Sequence, residues 1–279
     1  MRLQRITELV YHRPWLITPV GHESIRSLIE QKLSRDVADG QHAGILDDLI
    51  TARPAASVED RIGHVHIMGA VGIGFSKLEK TCGNTDVSDI LAEITEVQEK
   101  GAERIMLHVD SPGGTVGGIP EASEQIAKIG IPTFAYVAAG AMNCSAAYYL
   151  TAGCDRIYAS HSADIGSIGV YRPWIDRTEA LARMGYKVEL ITNKEGDLKG
   201  TGYPGTKLSD EQRQYLEADV QETFDDFAAH VRANRPGAID TDTMRGQSFS
   251  AREAYKRNLI DGVVPYESAL RSLKRFKAE

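Results

Sequence analysis

A single serine set among small residues is where chemistry can enter this chain. Ser145 stands in Gly140-Ala-Met-Asn-Cys-Ser-Ala-Ala-Tyr-Tyr149. Residues 132–139 read as a buried strand and residues 146–152 as a helix interior, so Ser145 falls at a strand-to-helix turn. Such a turn presents a hydroxyl and sets it beside the first free N–H groups of a helix, which favour negative charge. Acyl transfer asks a serine for both properties. The same residues also suit a plain N-cap followed by alanines that allow close helix packing, and the local sequence leaves the two readings open.

A second stretch bears on the first. Residues 103–110 form a near-continuous apolar run of the kind expected of a parallel strand buried on both faces. Asp110-Ser-Pro-Gly-Gly-Thr115 follows directly. Glycines let a backbone approach a ligand closely, so a Pro-Gly-Gly turn at a strand's C-terminal edge offers N–H groups to an oxyanion. A tight connection without a ligand would use the same residues. Parallel strands bring their C-terminal turns to one edge of a sheet, so Gly113, Gly114 and Ser145 are expected to converge.

Other reactive side chains are less telling. His64 and His66 alternate on one face of a short strand, and two histidines without further ligands are more often structural than metal-binding. Cys82, Cys144 and Cys154 match no zinc spacing and fit a reduced compartment. Cys144, beside Ser145, reads as packing. A Ser-His-Asp arrangement of the Clp type would need His161 with Asp155 or Asp164. A polar loop over residues 193–207 holds Lys194, Lys199 and Lys207 with four glycines.

The elements that must position these residues alternate in α/β fashion from residue 61 onward. Helical spacing is clear at Val87, Ile90, Leu91, Ile94 and Val97, with Asp86 as a cap. A helix is expected to run from Gly117-Gly118 to Ile129, strands at residues 155–159 and 186–192, and a short helix at residues 178–184. Ser209-Asp-Glu-Gln212 has capping-box character and opens a long helix to about residue 233. Residues 249–255 read as a capped helix and 259–264 as a turn and strand. Residues 1–57 read as an N-terminal extension, an oligomerisation or regulatory arm with a helix near residues 23–33, and residues 58–279 as the main domain.

Composition bounds the function. With 279 residues, 42% hydrophobic, 25% charged and a net charge of −7, the chain reads as soluble and globular, without the basic footprint of a nucleic-acid binder. No apolar run approaches a membrane span and no leader is evident, so a cytoplasmic protein is expected.

Ser111-Pro-Gly-Gly114, Ser145-Ala-Ala-Tyr-Tyr149, Gly166-Ser-Ile-Gly-Val170 and a loop lysine ahead of a long helix occur in that order within residues 62–264. Together they resemble the S49 peptidase family, which contains signal peptide peptidase A, protease IV and the capsid-assembly proteases of tailed bacteriophages. The resemblance implies an α/β fold, the ClpP/crotonase-like ββα superhelix with a mainly parallel sheet flanked by helices. It implies a Ser-Lys dyad: Ser145 as nucleophile and Lys199, in Gly196-Asp-Leu-Lys-Gly-Thr-Gly-Tyr-Pro204, as general base, with Lys194 and Lys207 as competitors. The N–H groups of Gly114 and Ala146 would hold the oxyanion, with Gly113 and Ser167 in support. A lysine accepts a serine's proton near neutral pH only where burial or nearby positive charge lowers its pKa.

Ala146-Ala147, in place of paired glycines, and Pro14-Trp-Leu-Ile-Thr-Pro19 lean toward the phage branch. The function then expected is a serine endopeptidase that cleaves scaffold and capsid or portal proteins during prohead maturation, acting as a homo-oligomer without metal or organic cofactor. A soluble bacterial peptidase is a second reading. A non-catalytic binding or assembly protein of the crotonase fold is a third.

Overall fold

The computed structural model describes residues 15–19, 21, 23, 53–81, 83–235, 237 and 240–277. The helix expected near residues 23–33, most of the N-terminal arm and Cys82 lie outside the described residues. Tertiary contacts divide the chain into two units, Leu16–Gly169 with Asp226–Glu279, and Met1–Trp15 with Val170–Asp225.

The larger unit is built on β5 (Arg104–Thr115), whose apolar run Ile105-Met-Leu107 is fully buried. Along one side β5 pairs in parallel with β3 (Ile62–Gly72), from Ile62↔Arg104 to Met68↔Asp110, and resumes at Ala70↔Gly113 after a bulge. Its first half pairs on the other side with β6 (Thr133–Val137), which continues to β8 (Arg156–Ala159) and β11 (Gly262–Val263), all parallel. Its second half turns to a different neighbour, β7 (Met142–Cys144), at Ser111↔Asn143. From β7 the sheet passes in parallel to β9 (Asp164–Gly166) and antiparallel to β10 (Ser248–Ser250). One long strand thus serves two layers. The result is a mainly parallel α/β sheet flanked by helices. Three short strands complete it: β1 (Trp15–Ile17), β2 (Ser57–Glu59) and β4 (Thr85–Asp86).

Helices cover the sheet. After the short α1 (Lys77–Thr81), α2 (Val87–Glu99) buries Val87, Ile90, Ile94 and Val97, the face its spacing indicates. The Asp86 carboxylate accepts the N–H of Ser88 at 2.9 Å and caps it. Next come α3 (Ile119–Ala127), α4 (Ala146–Thr151) and, in the smaller unit, α5 (Thr178–Arg183). The long α6 (Asp210–Asn234) begins with the expected reciprocal box. Ser209 Oγ accepts from the Gln212 N–H at 3.1 Å, and Gln212 Oε1 accepts from the Ser209 N–H at 3.2 Å. α7 (Ala251–Lys256) is capped by Ser250, and α8 (Tyr266–Arg275) is the last helix among the described residues. Ala269 and Leu273 of α8 pack on Ile62, Met106, Phe134 and Tyr136 of the sheet. A large side chain buried in this way contributes on the order of 1.5–3 kcal/mol.

The strand expected over residues 132–139 forms as β6, but it does not lead directly into the Ser145 turn: a turn at Gly140, where φ is +75°, and a further short strand, β7, intervene. Two other expectations need correction. The Pro-Gly-Gly segment is not a turn after the strand; β5 continues through it to Thr115. Residues 186–192 form no strand, and Tyr186 and Ile191 stand 66% and 94% exposed. Alternating residues make a strand only where a neighbour supplies the ladder, and among the described residues none does.

Candidate active site

The backbone at Ser145 is unusual. Its φ and ψ are +55° and −116°, a region that a residue with a Cβ rarely occupies. The position is over-determined from both sides. Its N–H donates to the Gly166 carbonyl at 2.8 Å, and its carbonyl accepts from Tyr149 N at 2.9 Å as the first bond of α4. Ser145 therefore sits where an N-cap sits, but its hydroxyl does not cap the helix. The residue is 1% exposed, and Oγ has no hydrogen-bond partner among the described residues. A buried hydroxyl left unpaired costs about 1–3 kcal/mol. Such an atom, aimed by a strained turn, calls for a functional explanation.

Gly113 lies directly against it. A Cβ built on Gly113 would fall 2.8 Å from Ser145 Cβ and 2.2 Å from the Leu16 carbonyl oxygen, and its φ is +107°. Only glycine fits there. At Gly114 a Cβ would fall 1.6 Å from the Val71 carbonyl oxygen. Ser111, 0% exposed, fixes this segment: its hydroxyl donates to the Gly69 carbonyl at 2.6 Å and accepts the Gly113 N–H at 3.1 Å. On the outer side Leu16 and Ile17 are buried, and the Thr18 N–H donates to the Pro112 carbonyl at 2.9 Å.

The parallel register explains the convergence. Ser111 pairs with Asn143, and Cys144 with Gly166, so the ends of β5, β7 and β9 meet at one edge. Ser167 follows there with φ +52° and its N–H bonded to the Gln247 carbonyl at 2.8 Å. Ala146, fully buried, opens α4, where helix geometry leaves its N–H without an intrahelical acceptor. Sequence reasoning missed Ser111 as the post that holds Gly113. Its signal was present in Ser-Pro-Gly-Gly but was read through the glycines alone.

Neighbouring groups are chemically quiet. Burial pushes the thiols of Cys144 and Cys154 up to about 12, so neither offers a thiolate near neutrality. His161 is exposed between β8 and β9 and makes no hydrogen bond to Ser145. The Asp155 carboxylate holds the Thr133 N–H at 2.8 Å, a strand-end clamp. No three His, Cys, Asp or Glu side chains among the described residues are grouped to hold a metal ion. No described helix is long and apolar enough to cross a membrane.

Lys199 belongs to the smaller unit, in a 3-10 turn over Asp197–Gly200, with its side chain exposed. It lines a pocket of about 670 Å³ together with Tyr171, Trp174, Tyr203, Pro204 and Leu216. Lys194 and Lys207 are also exposed and are not among the pocket's lining residues. Within the same unit Arg172 pairs with Asp219 at 3.0 Å, and Leu181 and Val188 close around Gly205.

The model of peptidase family S49 matches residues 125–279. The chain is 31% identical over 197 residues to a putative signal peptide peptidase SppA of Enterococcus faecium, covering 68% of this chain and 56% of that protein. It is 28% identical over 287 residues to capsid assembly protease C of Escherichia phage lambda, covering 96% of this chain and 64% of that one. The chain thus spans less than two thirds of either relative. A structure of the 1510-N membrane-bound stomatin-specific protease with a substrate peptide is 19% identical, covers 79% of this chain and 80% of its own, and has a TM-score of 0.44.

Proposed function

This chain belongs to peptidase family S49, and we propose that it is a serine endopeptidase in which Ser145 is the nucleophile and Lys199 the general base. Ser145 Oγ attacks the carbonyl carbon of a peptide bond while the Lys199 amine takes its proton. The tetrahedral intermediate places its oxyanion at the N–H groups of Gly114 and Ala146. Collapse breaks the C–N bond, the protonated lysine returns the proton to the leaving amine, and water then hydrolyses the acyl-enzyme by the same route in reverse. Gly113 gives the serine room, and Ser167 lies at the same sheet edge beside the residue that fixes the Ser145 N–H.

One observation carries the reading: a buried serine at a strained strand-to-helix turn, with its hydroxyl unpaired and a glycine pressed against its Cβ. Of the three loop lysines, Lys199 is favoured because it lines the aromatic pocket. The substrates proposed are the scaffold and capsid or portal proteins of a phage prohead, acted on by a homo-oligomer in the host cytoplasm. Similarity to the lambda capsid assembly protease over 96% of this chain supports that choice.

Coexpression with neighbouring capsid and scaffold genes, followed by mass spectrometry, tests both levels. Cleavage that disappears in Ser145→Ala and Lys199→Met but persists in Lys194→Met and Lys207→Met supports the dyad; loss only with Lys194→Met reassigns the base. Cleavage of signal-peptide-like peptides with scaffold left intact moves the protein to the bacterial peptidase reading.

A further inference from the structure

Away from the candidate active site, three imidazoles gather on the sheet face that α8 covers. His64 and His66 alternate on β3, and His108 of β5 is the register partner of His66. Nδ1 of His64 lies 3.0 Å from Nε2 of His108. The rings of His66 and His108 stack with centroids 4.7 Å apart and planes 17° from parallel. Tyr266, the first residue of α8, sets its ring 5.6 Å from that of His108 and edge-on to Tyr136 at 5.1 Å. The three histidines are half-buried.

This arrangement limits how many protons the cluster holds. A bond between two imidazoles needs one nitrogen with its hydrogen and one with its lone pair. One added proton leaves that bond intact; a second sets N–H against N–H. A charge on His66 then lies one stacking distance from His108. The surrounding groups give little relief. Arg53 adds positive charge beside His66, its guanidinium held by Glu93 and the His66 carbonyl. Glu59 of β2 favours a proton on His64, and Glu59 and Glu267 both act on Tyr266. Burial pushes all three histidines down; Arg53 and His64 add to this at His66, and His66 and His64 add to it at His108, which falls to about 4.

We propose that His64, His66 and His108 form an acid-sensitive clasp beneath Tyr266, which keeps the C-terminal helix on the sheet while the imidazoles are neutral and releases it as they charge. The sign follows from linkage. Freed histidines titrate near the ordinary value of 6.5, so the released state binds more protons at every pH from there down to the folded values. Docking is complete above that pH and weakens as pH falls below it.

Hydrogen exchange of the amides in residues 266–275, corrected for intrinsic rates, tests the clasp in the full chain at pH of about 7.5 and about 5.5. Each extra proton bound by the released state lowers protection about tenfold per pH unit. A fall of at least that size is expected, confined at first to α8. His64→Asn and His108→Gln, whose amides take no proton, should flatten the dependence. Protection unchanged over the range, or falling equally in wild type and variants, overturns the proposal. Should neither variant fold, NMR titration of the wild-type histidines decides: His108 titrating below 5 upholds the clasp, and titration near 6.5 refutes it.

Discussion

Ser145 pays for its geometry: a positive φ at a residue with a Cβ and a buried hydroxyl without a partner both oppose folding. Ser145→Ala should therefore abolish cleavage while leaving denaturant stability unchanged or raising it by up to about 1 kcal/mol, since an unpaired polar atom is removed. A fall of several kcal/mol would mean the hydroxyl is structural. Gly113 makes the opposite forecast. Ala at this position needs φ near +107° and space already occupied by Leu16 and Ser145. Gly113→Ala should cost about 1–3 kcal/mol in urea unfolding and also depress kcat, because the added methyl pushes on the proposed nucleophile, Ser145. The serine itself was legible, as a hydroxyl among small residues between two apolar runs. Its strain and its missing partner were not, because they depend on Gly166 and Gly113, distant in the chain.

At the scale of elements, local rules carried far. The Ser209 box, the Ser250 cap and the buried face of α2 all form where short-range spacing puts them. Asp86 offers a test. Burial alone would raise its carboxyl, but bonds from Ser88 and Phe75 and the nearby Lys80 outweigh that and hold it below the usual carboxylate range. A depressed pKa contributes stability that is present above the ordinary aspartate value of 3.8 and lost as pH falls through the folded value. Asp86→Ala should cost about 0.5–2 kcal/mol at neutral pH. Most of that difference should vanish in acid, as read from thermal unfolding at several pH values. Elements that depend on partners were harder to read. Residues 186–192 alternate like a strand and find no ladder, whereas α8 escaped notice although Tyr266, Ala269, Leu270 and Leu273 share one face.

For the whole molecule, the two compact units divide the proposed dyad, with Ser145 in one and Lys199 in the other. A homo-oligomer whose sites take a serine from one protomer and a lysine from its neighbour makes a sharp forecast. Ser145→Ala and Lys199→Met proteins, each inactive, should regain activity when dissociated and reassembled together, with about a quarter of the sites restored. A mixture that stays inactive places the dyad within one chain. Trp174 belongs to the same scale, because it joins the pocket wall with Lys199 from a separate stretch of chain. Trp174→Ala should raise KM for protein substrates while leaving α6 helicity by circular dichroism unchanged.

The sequence by itself determined the α/β class, the helix caps, the serine turn and the family, since each is carried by short segments whose own residues lie a few positions apart and by the order of those segments along the chain. Tertiary structure decided that β5 runs on through Pro-Gly-Gly, that Ser111 pins Gly113, and that three histidines from two strands meet under Tyr266. Hydrogen-bond ladders and close approaches join residues tens of positions apart, and their register is set only when whole strands pair.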